Sequence, residues 1–508
     1  MVNEANDDGV VPSLSARTSA TSLKSLMVRG SAWMLLSFGL GQVLRLVGNL
    51  VLWRLLYPEA FGIMAIVNVF LTGLGMFSDV GIGPSIIQNK QGDDPSFLNT
   101  AWTIQVVRGA LLLAACVAAA LPISHFYHQP MLAWLIPIAG LGSAISGFNS
   151  TKLFTATRSI ALGRLTVIDL AAQVSGLVVM LALAYATRSI WALTAAGLVG
   201  NLVRLVMGHV MLPGISNHFH WDRQKAVSLL HFGRWIFVST LLTFAAMQSD
   251  RVIFGKLVTM QVLGVYSVAT VWATLPTSIL NQVFQSVLFP VLSKVRNQGA
   301  EFPRAFRETR APGLIAAGWL SACMLSGGPT LIRFLYDDRA LDAGWMVQLL
   351  SLGTWLLALE NTNGCALLAC GKAKWVAAGS GAKVLGMFVF IPLGMTLYGF
   401  PGAVFGFALS ELCRYAVSLA GTTRIKLQGY RQDGLLSCAV ALSTACGLVV
   451  AGLMSALSAN RGLHQARWVY FLDGAAIFVT VSMCWAVVYQ VYRRRRRGVQ
   501  SALDGVAT

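Results

Sequence analysis

The chain has 508 residues, 56% of them apolar, with a mean hydropathy of +0.66 and only 11% Asp, Glu, Lys and Arg. Soluble domains carry roughly 25% charged residues, so a string of soluble domains is excluded. The charges are also lopsided, 38 basic against 20 acidic for a net +18, and a chain this apolar has to place its base somewhere specific.

In chain order, residues 1–24 are rich in Ser, Thr, Asp and Asn without an apolar stripe and read as a disordered cytoplasmic tail. Apolar runs then recur to residue 492, each near the length of about twenty residues that spans a bilayer core. Fourteen are readable, at about 31–55, 60–85, 101–122, 131–150, 165–187, 190–211, 234–256, 262–290, 312–334, 344–369, 376–398, 402–423, 435–457 and 468–492. The first is too long for a signal-peptide core and lacks a small-residue cleavage site, so it is expected to remain as a span. Gly (49) and Pro (15) fall inside many runs, which membrane helices tolerate because neighbouring helices re-satisfy the freed backbone groups. A transmembrane barrel would show alternation over strands of about ten residues instead. The expected fold is therefore an all-α integral membrane protein with about 14 transmembrane helices.

The basic residues sort by side. With the N-terminus in the cytoplasm, twenty-five of the 38 fall on inside segments, among them Arg304, Arg307, Arg310 and the run Arg493 to Arg497. Five (Arg188, Lys256, Arg339, Arg461 and Arg467) fall outside, and the positive-inside rule then puts both termini in the cytoplasm. The terminal run reads as an anchor on the anionic inner leaflet, so membrane lipids are expected partners and nucleic acid is not. Arg54 and Arg333 sit at span ends and snorkel. Arg45, Arg108, Arg204, Arg251, Lys383 and Arg414 lie within spans.

Soluble chemistry has little room. The longest connections, about 212–233 and 291–311, are both cytoplasmic and short, and neither Gly255-Lys256 nor Gly371-Lys372 has the glycine and hydroxyl of a phosphate loop. His218, His220 and His231 lack Cys or carboxylate partners at ligand spacing, so no metal and no cofactor are expected. The eight cysteines fall within runs and read as buried thiols.

Intramembrane polarity is organised into faces. A charge at the bilayer centre costs about 2.5–3.5 kcal/mol, so the cations within spans mark an interior cavity or buried ion pairs. Helical spacing groups Gln42, Arg45 and Asn49; Asn68, Thr72 and Asp79; Gln105 and Arg108; Thr166, Asp169 and Gln173; and Thr194, Asn201 and Arg204. The eighth run carries the longest stripe, Tyr266, Thr270, Thr274, Thr277, Asn281 and Gln285. Isolated hydroxyls read as interhelical glue worth about 0.6 kcal/mol each. Glu411 and Arg414, three residues apart, either neutralise each other or face a cavity. The cations together read as a cationic lumen.

A shift of 202 residues superposes Trp33 on Trp235, Ser37 on Ser239, Gly62 on Gly264, Val69 on Val271 and Thr72 on Thr274. It maps the first two runs onto the seventh and eighth and preserves their orientation, as two parallel six-helix halves with a binding site between them would. The division expected is an N-lobe over 25–211, an inter-lobe loop over 212–233, a C-lobe over 234–424, two further helices over 425–492 and a basic tail over 493–508.

Residues 53–88, WRLLYPEAFGIMAIVNVFLTGLGMFSDVGIGPSIIQ, resemble the first two spans of bacterial Wzx-type polysaccharide-export flippases of the multidrug/oligosaccharidyl-lipid/polysaccharide (MOP) superfamily. Residues 249–293, SDRVIFGKLVTMQVLGVYSVATVWATLPTSILNQVFQSVLFPVLS, are similar to the same family's pattern after its mid-chain loop. The resemblance covers about residues 25–425. It implies a V-shaped, two-lobed fold working by alternating access. Its cargo would be undecaprenyl-diphosphate-linked oligosaccharide units, moved across the bacterial inner membrane for exopolysaccharide, capsule or O-antigen biosynthesis, beside polymerase and export proteins of the same pathway. The family motif carries over to Asp79, Asp250 and Arg251. Joined to the spacing argument, it gives lumen cations Arg45, Arg108, Arg204, Arg251 and Lys383 for the diphosphate. Asn49, Tyr266, Thr270, Asn281 and Gln285 would face sugar, and Asp79, Asp169, Asp250, Glu360 and Glu411 are coupling candidates. Two alternatives stand beside it. A drug/cation antiporter of the same superfamily would want an acidic lumen, and a polytopic glycosyltransferase or polymerase would have only Asp337 and Asp338 in a short loop.

Overall fold

The computed structural model describes residues 38–504 apart from 80, 90, 160–161, 297–300 and 461–466. The tail 1–24, the start of the first run, Lys90 and Arg461 lie outside the described residues, as do the side chains of His231, Arg234 and Arg495 to Arg497.

The described residues are almost entirely helical, with no strand among them. In chain order the helices are α1 (38–55), α2 (Pro58–Phe77), α3 (Ile82–Gln88), α4 (Pro95–Tyr127), α5 (Leu132–Gly147), α6 (Lys152–Arg158), α7 (Leu162–Thr187) and α8 (Trp191–Val210). They continue as α9 (Arg223–Leu257), α10 (Met260–Val283), α11 (Phe289–Val295), α12 (Glu301–Leu335), α13 (Ala343–Ala369), α14 (Ala373–Arg424), α15 (Tyr430–Asn460) and α16 (Arg467–Asp504). Nine of those described are long and apolar enough to cross a membrane, or ten if α5 and α6, bent by 60°, form one broken span. Their outward faces carry large apolar side chains such as Trp134, Tyr185, Leu385 and Leu442, as a lipid-facing surface requires. Cys438 and Cys446 lie on that exposed surface of α15, whereas Cys116 and Cys365 are buried as expected of apolar-run thiols.

Local chemistry explains the breaks. Asp94 and Asp222 cap α4 and α9 by accepting from the second and third backbone N–H groups. A straight α14 would be about 78 Å long at 1.5 Å per residue, more than twice a bilayer core. Gly399, at φ 65° and ψ −151°, folds it back instead. The two arms pack through glycines: a Cβ added at Gly394 would stand 2.1 Å from the Gly402 carbonyl oxygen, and one at Gly406 would stand 2.2 Å from that of Phe390.

Helices α4, α5, α7 and α8 pack together with α2, and α12 to α16 form a second group; α9 runs against α2 and α14. The groups meet where α2 and α10 begin. There a Cβ on Gly62 would lie 2.0 Å from the Met260 carbonyl oxygen, and one on Gly264 would lie 1.9 Å from that of Pro58. Gly62 and Gly264 are 202 residues apart, as are Pro58 and Met260, so the contact is reciprocal, as at a two-fold axis. The end of α1 and the α12–α13 connection close over the same end. Trp53 Nε1 donates to Asp337 Oδ1 (2.9 Å), and Arg339 donates to the carbonyls of Trp53 (2.8 Å) and Leu56 (3.3 Å).

Candidate functional site

Helices α1, α7 and α8 line an open cavity of about 1000 Å³, at the top of the range of about 300–1,000 Å³ usual for small-molecule pockets. Small residues bring the walls together. Gly41 and Gly48 let α1 approach Gln173 and Leu177, and Gly176 and Gly200 let α7 and α8 approach backbone to backbone.

Three of the sequence-predicted faces converge here. Gln42, Arg45 and Asn49 come from α1, Thr166, Asp169 and Gln173 from α7, and Asn201 and Arg204 from α8, while α10 adds Gln282. The ionisable lining residues are Arg45, Asp169 and Arg204. Arg204 Nη2 lies 3.3 Å from Asp169 Oδ1, with the two side chains 46% and 41% exposed. Arg45 donates to Gln42 Oε1, and Gln42 Nε2 in turn donates to the Ser278 hydroxyl on α10 (3.0 Å). One guanidinium thus faces a carboxylate and the other a neutral amide. Two cations against one anion give the lining a positive balance. Guanidinium forks suit phosphate or carboxylate groups, and the surrounding amides suit a polyhydroxyl molecule.

The sequence pattern described as "Polysaccharide biosynthesis protein" matches residues 51–343, more than half of the chain. The chain belongs to this polysaccharide biosynthesis family. It is similar to the lipopolysaccharide biosynthesis protein WzxC of Escherichia coli K12, 23% identical over 410 residues that make up 78% of this chain and 81% of the relative. It is also similar to the succinoglycan biosynthesis transport protein ExoT of Rhizobium meliloti, 22% identical over 62% of this chain and 60% of that protein. Among solved structures it superposes on the lipid II flippase MurJ in an inward closed conformation, with a TM-score of 0.70, 11% identity and coverage of 90% of this chain and 98% of that one. An inward-facing MATE multidrug transporter of the MOP superfamily aligns with a TM-score of 0.60 and 14% identity over 76% and 94% of the two chains. The family member thus has the MOP-type fold, and its relatives and fold are those of transporters rather than enzymes.

The other expected site residues of this family member lie away from the cavity. Arg108 donates to the Ser78 hydroxyl (2.9 Å) and the Gly75 carbonyl (2.7 Å), satisfying the end of α2. Arg251 Nη1 donates to Gln248 Oε1 one turn back (2.8 Å). Tyr266 is fully buried and donates to Asp250 (2.7 Å), while Thr270, Thr274 and Thr277 donate to carbonyls of their own helix. Asn281 and Gln285 are exposed, and Gln282 is the α10 residue that reaches the cavity. The Asp79 carboxylate accepts from the Gly81 N–H in the turn after α2. Thr194 is buried against Met64.

Lys383 pairs with Glu411 (2.5 Å) and Arg414 with Glu360 (3.1 Å), all four inside the second group of helices. Glu411 and Arg414 therefore do not neutralise each other. Beside them lies a residue whose role the sequence reading missed. Arg310, assigned there to a cytoplasmic connection, is completely buried in α12, ion-paired with Asp433, hydrogen-bonded to Asn363 (3.1 Å) and stacked on Phe306. Tyr415 also donates to Asp433 (2.8 Å). The missed signal is the stripe Phe302, Phe306, Arg310, Leu314, which steps by four and is buried throughout.

Proposed function

We propose that this protein is a flippase for undecaprenyl-diphosphate-linked oligosaccharides in the bacterial inner membrane, supplying repeat units for exopolysaccharide, capsule or O-antigen synthesis. The observation that carries the reading is the cavity whose two cations, Arg45 and Arg204, stand among Gln42, Asn49, Gln173 and Asn201. Guanidinium cations of this kind hold a diphosphate, and the amides pair with sugar hydroxyls. The family relationship, with relatives named for lipopolysaccharide and succinoglycan biosynthesis, supports the same cargo class. A drug/cation antiporter would want the opposite balance of charge in its lumen.

In this reading fourteen spans leave both termini in the cytoplasm, and α1–α8 and the first helices after residue 234 form two lobes over 25–211 and 234–424, with 425–492 appended. The α2–α10 crossing and the Trp53–Asp337–Arg339 clasp then close the periplasmic end. Diphosphate contacts concentrate on Arg45 and Arg204. Arg108, Arg251 and Lys383, each already engaged with protein groups, support the lobes. Among the coupling candidates Asp79, Asp169, Asp250, Glu360 and Glu411, Asp169 is the one on the cavity wall.

The test is movement of a labelled undecaprenyl-diphosphate oligosaccharide between leaflets of proteoliposomes holding the full-length protein. Arg45→Ala and Arg204→Ala should each slow it at least about tenfold, as loss of a charge-assisted contact of about 1.5–3 kcal/mol requires. Full transport by both variants at normal protein levels overturns the proposal. Transport unchanged on collapsing the pH gradient removes proton coupling.

A further inference from the structure

The Asp169–Arg204 pair sits oddly for a structural ion pair. It is not buried: both side chains are more than 40% exposed, and both line the same cavity. Exposed pairs of this kind contribute about 0–1 kcal/mol to stability, so the fold gains little from it. Nor is the packing of α7 on α8 in need of it, since Gly176 and Gly200 already bring the two backbones into contact. The other charged group on the cavity wall is Arg45, whose guanidinium leans on the neutral Gln42. What the pair does change is the availability of Arg204. Its guanidinium cannot offer the full fork to an incoming anion while Asp169 occupies one edge, and an ionised carboxylate beside an anionic ligand repels it.

We propose that Asp169 is a resident counter-anion that the diphosphate of the cargo displaces from Arg204. Asp169 holds Arg204 in place when the cavity is empty, limits the affinity of the loaded site, and reclaims Arg204 as the cargo leaves. It is a positioning residue that acts through Arg204. The inference rests on the flippase reading, because the displacing ligand is that reading's diphosphate group. Its consequence is a trade: removing the carboxylate strengthens binding and slows release, so apparent affinity and maximal transport rate move in opposite directions.

The experiment uses the full-length protein in lipid nanodiscs, undecaprenyl diphosphate as binding probe, and the proteoliposome assay for rate. Asp169→Asn should bind the probe about five- to tenfold more tightly than the wild type, the scale of a partly exposed pair plus a removed like charge. It should also lower the maximal rate of transport and the cargo concentration for half-maximal rate together. Asp169→Glu should restore wild-type values, and Asp169→Ser should behave as Asp169→Asn, so that one poorly folding variant does not decide the result. In an Arg204→Ala background the tightening should vanish. Wild-type protein that fails to bind undecaprenyl diphosphate overturns the flippase reading and the inference with it. Wild-type binding with Asp169→Asn and Asp169→Ser unchanged or weakened overturns the inference alone, as does tightening that survives Arg204→Ala.

Discussion

Gly264→Ala tests whether the α2–α10 crossing sets the balance between conformations. The added Cβ would stand 1.9 Å from the Pro58 carbonyl oxygen and 2.8 Å from its carbon. A carbon–oxygen contact relaxes at about 3.3 Å, so the helices must part by about 1.4 Å at that point. Both neighbours are backbone atoms, so no side chain can rotate out of the way. Overpacking of this kind costs about 1–3 kcal/mol. The cost falls only on conformations in which α2 and α10 cross this closely, so in the proposed cycle it shifts the population toward a state open at this end. At about 1.4 kcal/mol per decade, the shift spans about 5-fold to 140-fold. Spin labels at the exposed Glu59 and Leu341 in the full-length protein read it as growth of the long-distance population. The reciprocal geometry adds a stricter demand. Gly62→Ala, whose Cβ would lie 2.0 Å from the Met260 carbonyl, should produce the same shift, and the double variant little more, because the first methyl has already opened the gap. Distance distributions that match the wild type in both single variants, at unchanged thermal stability, would refute the argument.

Three further outcomes are expected. Arg339→Ala removes the bonds to Trp53 and Leu56 across the same end and should shift the Glu59–Leu341 distances in the same direction, by about tenfold in population for bonds that are only part-buried. Burial pushes the Asp337 carboxyl up, but its hydrogen bonds from Arg339 and Trp53 outweigh this and hold it below the ordinary 3.8. A carboxylate lowered on folding stabilises above its unfolded value and loses that contribution as pH falls through the folded one. The stability difference between wild type and Asp337→Asn, read by thermal unfolding against pH, should therefore hold steady from neutral pH to about 5 and disappear below the ordinary carboxylate range. Arg310→Met leaves Asp433 buried without its ion-pair partner and should destabilise by about 3–5 kcal/mol, with part recovered by Arg310→Met together with Asp433→Leu; no loss in the single variant would contradict the buried network.

What the sequence could and could not reveal follows from which groups a side chain is free to bond. The helical spacing of Gln42, Arg45 and Asn49, of Thr166, Asp169 and Gln173, and of Asn201 and Arg204 is enough to place each set on one face, and the three faces meet. The stripe on α10 obeys the same spacing, but its hydroxyls at Thr270, Thr274 and Thr277 donate to carbonyls three or four residues back in their own helix. Spacing cannot tell a self-satisfied stripe from an open one. Arg108 shows the same limit for a cation, since its partners are carbonyl and hydroxyl groups on a different helix. Arg310 is hidden for the opposite reason: it stands beside a basic connection, although its neighbours at four-residue steps are apolar. The repeat was legible only as scattered identities, and its meaning rests on Gly62 and Gly264, where the two copies touch.

The placement of charge in the two groups of helices argues for a division of labour. In the second group Arg310, Lys383 and Arg414 are matched one for one by Asp433, Glu411 and Glu360, at low exposure. Such a set costs desolvation and fixes the relative positions of α12, α13, α14 and α15, since breaking any pair leaves a buried charge uncompensated. It offers no spare cation to a ligand. In the first group the balance is reversed: Arg45 and Arg204 face the cavity with Asp169 alone against them, and the helices there are held by glycine contacts that demand no charge. In the proposed cycle a phosphate-bearing cargo meets Arg45 and Arg204 on the side of the first group. The hydrogen bond from Gln42 to Ser278 joins that side to α10, because Gln42 is at once the acceptor for Arg45 and a donor to α10. A ligand that draws Arg45 away from Gln42 alters a polar link from the cavity lining to α10. In the proposed cycle this bond connects binding at Arg45 to the position of α10, without any charge passing between them.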